Sequence, residues 1–480
     1  MAEEQALKKE LRPIDVWGLA LGAIVGWGCF ILPGNSFLPR SGPLGMAIGM
    51  TVGALMVCII SLSYGYLIQK YPVSGGEFVY ADTAFGKIHG FICGWGLILA
   101  YWSLIPLNAT AVGLIARYLF PGAIEVGRLY QVAGWDVYAG EIAVAALFLI
   151  GLALLNIKGV KGSGALQTVI SVVLVVSIVA VTLIVLFKCH DFSNLLPAFQ
   201  NEGGRTPFAC IFAVVAMTPW AFIGFDCVPQ AAEEYSFSPK KSLFLMISAV
   251  LVATFLYICI NTITAIVMPW QDLLALDPFW ATGMVIEMTI GKGGLILVGI
   301  AMLAAVVSGM NAFYLSTSRL LYAMAQVNAL PKVFATIDKK YGTPKYSILF
   351  LMALSLVAPW FGREVLGWIV DMTSVCVSLG FTYTTAAATK IAWQHDEKFR
   401  AFIGAVGTVI GVFFMSLLLV PGMPGFLGVQ SRVALVAWVI LGVIFFFIMR
   451  DKYMHNDKSM DAMLKEKGIE ESKCPVICQE

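Results

Sequence analysis

Charge is scarce in this chain. Of 480 residues, 12% are Asp, Glu, Lys or Arg and 59% are hydrophobic, whereas a soluble protein carries about twice that charged fraction. Mean hydropathy is +0.85. The shortage excludes a soluble domain, and the longest polar stretch is only the tail after Arg450. Histidine is scarcer still. The four (His89, His190, His395, His455) are all read as lying in loops or tails, so no Ser/His/Asp set can be placed inside an apolar segment. The chain lacks H-E-x-x-H and the phosphate-cradling G-x-x-x-x-G-K-[ST]. The expectation is a protein that is not an enzyme, needs no cofactor or metal, and draws energy from gradients or exchange.

What is present is apolar and segmented. Twelve candidate spans can be drawn, at 16–32, 44–68, 91–119, 142–155, 168–187, 208–228, 243–268, 295–325, 347–361, 365–388, 402–420 and 433–449. Each is near the ~20 residues a helix needs to cross a bilayer, with the fourth and ninth the shortest. Loops read as short throughout. The first span follows a charged start with Lys8, Lys9 and Arg12 and has no small-residue cleavage site, so it reads as a retained helix. With the N-terminus in the cytoplasm, 23 of the 31 Lys and Arg fall on the inside and eight on the outside. That bias puts both termini in the cytoplasm of a multi-pass protein of the inner (plasma) membrane. The net charge of +2 is then a topology signal and implies no nucleic-acid partner. Of ten cysteines, Cys29, Cys58, Cys93, Cys210, Cys227, Cys259 and Cys376 lie in spans and read as small apolar side chains. Cys474 and Cys478 have no zinc spacing, and a Cys189–Cys210 bridge across the longest external loop is left open.

Two spans carry glycine interruptions. The first contains Gly26-Trp27-Gly28, the sixth Trp220-Ala221-Phe222-Ile223-Gly224-Phe225-Asp226. Unpaired main chain is tolerated at mid-depth only where it lines a protein cavity, and two such breaks five spans apart point to a substrate site at the midplane. Amides freed after the first break (Trp27, Gly28, Cys29) suit a carboxylate; carbonyls freed before it (Ala23, Ile24) suit an ammonium. The competing reading is a glycine packing groove. Trp220, Ala221 and Phe222 lie outside the second break, either capping substrate or simply packing. Asp226 and Asp371 are the two mid-span acids. Each is costly unless paired, protonated or wetted, which makes both candidates for coupling, with Asp226 reading also as a structural group that steadies the unwound backbone and Asp371 as one that orients the site. Asp371 reads equally well as a side chain reaching the outer interface. Ser74-Gly75-Gly76-Glu77 reads as a turn, and Arg319 as a side chain that snorkels to headgroups, with pairing to an inner-gate acid as the alternative. Because five is odd, a set of spans 6–10 that echoes spans 1–5 runs inverted. The organisation expected is an N-terminus (1–13), a first repeat (14–190), a second repeat (205–390), helices 11 and 12 (400–450) and a tail (451–480).

Taken together, Gly26-Trp27-Gly28-Cys29-Phe30, Ser74-Gly75-Gly76 with Tyr80 and Phe85-Gly86, the run Trp220 to Asp226, and Ser318-Arg319 with Leu330-Pro331 resemble the amino acid–polyamine–organocation (APC) permeases. The resemblance implies an all-α integral membrane protein of twelve helices. Its fold would be LeuT-like, a five-plus-five inverted repeat with two extra C-terminal helices and with helices 1 and 6 broken. It implies a secondary transporter of amino acids or related amines, with the alternatives of a polyamine or organic cation exchanger or a transporter-like sensor. The helix 6 run looks most like arginine/agmatine-type exchangers, in which Trp220 would close over substrate as the gate. The implied partners are the substrate, the bilayer and a proton or exchanged substrate, with a second copy of the chain left open. The implied binding set is Ala23, Ile24, Gly26, Trp27, Gly28, Cys29, Tyr101, Ile105, Trp220, Ala221, Phe222 and Gly224. Two departures stand out. Trp27 occupies a usually small position, and no lysine follows Gln167 in helix 5, where Leu174 stands. Coupling is then by exchange, by a proton on Asp226 or Asp371, or by a sodium site using Ser316 or Thr317. The apolar Ile105 and Pro106 beside Tyr101 favour a small or hydrophobic side chain over a guanidinium.

Overall fold

The computed structural model describes residues 7–132, 134–278, 280–454 and 459–469. It is all-helical apart from one hairpin. In chain order the helices are α1 (Pro13–Val25), α2 (Gly28–Leu32), α3 (Leu38–Lys70), α4 (Glu77–Phe85), α5 (Lys87–Leu119), α6 (Ala139–Ile157), α7 (Val160–Lys188), α8 (Pro207–Val215), α9 (Thr218–Ala221), α10 (Cys227–Gln230), α11 (Ser242–Ile266), α12 (Trp270–Ala275), α13 (Ala281–Ile290), α14 (Lys292–Gln326), α15 (Lys345–Val357), α16 (Gly362–Gln394), α17 (Lys398–Leu419), α18 (Val429–Met454) and α19 (Met460–Glu466). An antiparallel pair, β1 (Arg128–Val132) and β2 (Trp135–Tyr138), precedes α6. Among the described residues, eight helical runs are long and apolar enough to cross a membrane.

The helices are inside-out relative to a soluble protein. On α7, Val169, Val172, Val176 and Leu183 are exposed, while Ser163, Gln167, Ser171 and Ser177 are buried. Chain that must leave apolar side chains facing lipid puts its polar groups between helices, where they act as glue of about 0.6 kcal/mol per hydrogen bond. The seam between α1, α7 and α14 is built this way. Gln167 Nε2 donates to Gly18 O (2.9 Å) and to Ser308 Oγ (2.5 Å), Ser171 Oγ donates to Gly18 O (3.0 Å), and Asn311 Nδ2 donates to Gln167 Oε1 (2.8 Å). The peripheral α18 is fastened to α5 by stacked Trp95 and Trp438, ring centroids 4.8 Å apart, each indole donating to the other residue's carbonyl.

The bundle has two faces. One carries the segment before α1, the turn ahead of α4 and the start of α19, and is called the amino-terminal face. There the Leu11 amide donates to Glu234 O (3.0 Å) and the Ser236 amide to Leu11 O (2.9 Å), a short parallel bridge. The other carries the hairpin, where Arg117 pairs with Glu141 and donates to Asp136 O (2.9 Å).

Several expectations need correction. Loops are not uniformly short: the hairpin and the helices α12 and α13 fill connections that read as plain loop. His89 lies in the first turn of α5, its ring against Tyr383 (3.0 Å), rather than in a loop. His455, Cys474 and Cys478 fall outside the described residues. Cys189 and Cys210 are free thiols; the Cys210 Sγ instead lies 3.2 Å from Gln200 O. Arg319 does not snorkel. It is fully buried, and its guanidinium grips Glu234 through two hydrogen bonds of 2.7 and 2.8 Å, both side chains 0% exposed. The acid was overlooked because it sits past the sixth span, 85 residues upstream in sequence. Breaking such a pair strands a buried charge. Arg319→Met is expected to destabilise the protein by about 3–5 kcal/mol, read as a fall in melting temperature of detergent-purified protein. The double variant Arg319→Met/Glu234→Met should recover most of that loss.

Candidate functional site

The helix breaks face one another. α1 stops at Val25 because Gly26 adopts φ 37, ψ −171, a conformation glycine alone takes up cheaply, and helix resumes at Gly28. In the sixth segment α9 ends at Ala221 and α10 begins at Cys227, with Gly224 at φ 129 between them. The breaks fit into each other. A Cβ on Gly224 would lie 2.5 Å from Ala23 Cβ and 2.8 Å from the Ile24 amide nitrogen, and a Cβ on Gly28 would lie 2.6 Å from the Trp220 ring. Absence of side chain is therefore needed twice, for the turn and for the close approach.

Above the breaks, towards the hairpin face, Trp27 and Trp220 meet edge to face with ring centroids 5.8 Å apart. They form one wall of a cavity of about 430 Å³, lined also by Arg40, Leu107, Asp371 and Ser374. The Trp220 indole N–H is buried with no hydrogen-bond partner among the described residues. The unwound main chain is partly answered by the protein itself. The Tyr257 hydroxyl donates to Ile24 O (3.2 Å) and the Gly224 amide donates to Asp226 Oδ1 (2.6 Å), while Trp280 Nε1 donates to Phe30 O (2.9 Å) in the resumed helix α2.

Below the breaks, towards the amino-terminal face, lies a sealed polar cluster. Tyr101 Oη of α5 is 3.0 Å from Asp226 Oδ2 and 3.0 Å from Glu77 Oε1. Tyr64 donates to Glu77 Oε1 (3.1 Å) and Gln230 Nε2 to Glu77 Oε2 (2.6 Å). Glu77 and Asp226 are both 0% exposed. Glu77 opens α4, which Gly75 and Gly76 turn into the bundle.

The family model for "Amino acid permease" matches residues 11–448. The chain belongs to the amino acid permease family. The permease is 26% identical to the branched-chain amino acid permease BcaP of Bacillus subtilis, over 94% of this chain and 95% of that protein. It is 25% identical to the aspartate-proton symporter of B. subtilis, over 86% and 78%. It is 26% identical to the serine/threonine exchanger SteT of B. subtilis, over 74% and 77%. Like the family it belongs to, the permease is a membrane transporter of amino acids.

The permease brings Ala23 and Ile24 against Gly224 and Trp27 and Gly28 against Trp220, with Gly26 at the break itself and Cys29, Ala221 and Phe222 buried. Ile24 O already accepts from Tyr257. Tyr101 and Ile105 are buried in α5, Tyr101 turned to the carboxyl cluster. The two candidate acids part company. Asp226 is sealed in, whereas Asp371 borders the outer cavity and accepts from Ser431 Oγ (3.1 Å). Ser316 and Thr317 donate to their own helix, to Ala312 O and Phe313 O. Glu77 was read only as part of a turn; the signal that could have found it is the apolar run Phe78-Val79-Tyr80-Ala81 directly behind it, which draws the acid inward. Tyr64, Gln230 and Tyr257 gave no such signal.

Gly28→Leu and Gly224→Leu are expected to abolish uptake while the protein still reaches the membrane, measured as radiolabelled uptake against surface-expressed protein. Trp220→Ala should weaken substrate binding tenfold or more, about 1.4 kcal/mol, read by ligand titration of purified protein.

Proposed function

We propose that the permease carries neutral α-amino acids with small or apolar side chains by alternating access, coupled to proton movement or to exchange. The observation that carries this reading is the interlock of the two breaks beneath Trp27 and Trp220. Main-chain dipoles at such a crossing suit a zwitterion. The carboxylate would rest on the main chain from Trp27 to Cys29. The ammonium would lie on carbonyls of Ala23, Ala221 and Phe222, since Ile24 O is engaged by Tyr257. Trp220 would be the gate, and Ile105 and Tyr101 would back the pocket.

Neutral cargo is favoured because both oxygens of Asp226 are held by Gly224 and Tyr101, and Asp371 lies in the outer cavity. A guanidinium would meet no free carboxylate at the breaks. The names of two relatives, one for branched-chain amino acids and one for serine and threonine, agree. The buried Leu174 offers no fixed ammonium, and coupling is read as exchange or a proton, with a sodium site the alternative, since the hydroxyls of Ser316 and Thr317 donate to Ala312 O and Phe313 O and keep lone pairs for a cation. The finer architecture is read as twelve crossings in two inverted sets of five plus two, supported by a break in the first helix of each set. The amino-terminal face is read as cytoplasmic, on an inner membrane, from the basic-residue bias.

A thermal-shift screen of purified protein tests the reading. Leucine, valine, serine or threonine should raise the melting temperature, since ligand at a hundredfold its Kd adds about 2.7 kcal/mol to apparent stability. Stabilisation by arginine, agmatine or putrescine alone would refute neutral cargo.

A further inference from the structure

The hydroxyl of Tyr101 has one proton and two carboxyl neighbours. Glu77 Oε1 and Asp226 Oδ2 each lie 3.0 Å from its oxygen, both at hydrogen-bond distance. A phenol donates once, and an ionised carboxylate only accepts. With both acids ionised, one of these contacts would set a negative oxygen against a phenol lone pair in a site from which water is excluded. Both become hydrogen bonds only if one acid carries a proton and donates it to the Tyr101 oxygen, while Tyr101 donates to the other acid.

The surroundings supply no cation to hold two negative charges. Among the described residues, no Lys, Arg or His bonds to either carboxyl. The ionisable groups facing them are Tyr64 from α3, Tyr80 from α4, Cys93 and Tyr101 from α5, and Cys227 next to Asp226. All are acids that are neutral when protonated. From α14 and α16 the nearby polar groups are the neutral hydroxyls of Ser316 and Thr384. Among the described residues, the one buried guanidinium on this face, Arg319, is committed to Glu234. Burial first, and the charge of Asp226 second, push the Glu77 carboxyl upward towards its protonated form, the expected direction for like charges sharing a dry site. The remaining partners, Tyr64, Gln230 and the Gly224 amide, are all donors and satisfy the other acceptor positions.

We propose that Glu77 and Asp226 form one proton-binding site, sharing a single proton through Tyr101 while the amino-terminal side is closed. Asp226 sits on the broken sixth segment and Glu77 on the connection ahead of α5. Opening that side separates the two acids and admits water. The carboxyl O–H bond then breaks, the proton passes to water, and each carboxylate keeps its remaining donors. Reclosure requires a proton to return. This assigns the coupling ion of the transport reading above to a pair of residues and rests on that reading for its coupling role, though not for the proton itself.

Two measurements decide it. Infrared spectra of purified protein at neutral pH should contain a protonated-carboxyl stretch that is lost in Glu77→Gln and also in Asp226→Asn. A stretch unchanged by Glu77→Gln overturns the shared proton, provided the variant melts cooperatively. In liposomes containing a pH-sensitive dye, leucine uptake should move protons, and Glu77→Gln should abolish the protons moved per leucine carried. An unchanged ratio, or wild-type uptake that moves none, overturns the coupling role. If wild-type protein neither binds nor carries neutral amino acids, the transport reading fails, and the infrared result still decides whether the proton is there.

Discussion

A backbone amide or carbonyl left without a partner in hydrocarbon costs several kcal/mol, and this protein interrupts its helices twice at the same depth. The way the interruptions are answered organises what surrounds them. Gly224 presses against Ala23 and Ile24, and Gly28 against Trp220. Tyr257 and Asp226 supply hydrogen bonds that the missing helical turns would have supplied. What the protein does not answer is available to a ligand carrying both a carboxylate and an ammonium. The same constraint accounts for glycine at these positions, since a side chain there would hold the two main chains apart.

Polar chemistry is sorted by depth and by type. The seam between α1, α7 and α14 uses neutral amides and hydroxyls, Gln167, Asn311, Ser171 and Ser308. Each contact is weak, which suits surfaces that slide or tilt past one another. Among the described residues, charged side chains gather at the two faces, at the outer cavity with Arg40 and Asp371, and in the cluster beneath the breaks. Arg319 and Glu234 are fully buried and pair with each other. Between the faces, Glu77 and Asp226 stand apart as acids whose partners are all uncharged.

Much of the layout was legible because lipid imposes long apolar runs and because glycine beside tryptophan in such a run has few readings. Gly26-Trp27-Gly28 and Trp220 to Asp226 located the breaks to the residue. The hairpin and the helices α12 and α13 were not legible, since they are short and lie where neither lipid nor a continuous apolar period marks them. Arg319 was misread because its partner is distant in sequence, and a charge near the end of an apolar helix gives no hint of whether it turns outward or inward. Glu77 was passed over for a related reason: two glycines announce a turn, and nothing local says that the turn re-enters the bundle. Asp371 and Asp226 looked alike in sequence, and only packing separates a wetted acid from a sealed one.

The bridge on the amino-terminal face has a mechanical corollary. Leu11 and Ser236 exchange main-chain hydrogen bonds with their opposite strand, so the start of α1 is yoked to the end of the broken sixth segment just where Glu234 and Arg319 meet. A tilt of one lever drags the other. The peptide part of the yoke survives exchange of one ordinary residue for another, although replacing Ser236 would remove the bond that its hydroxyl adds to Leu11 O (2.7 Å); an imino acid such as proline at 11 or 236, lacking the N–H, would take away one of the two main-chain links between the levers.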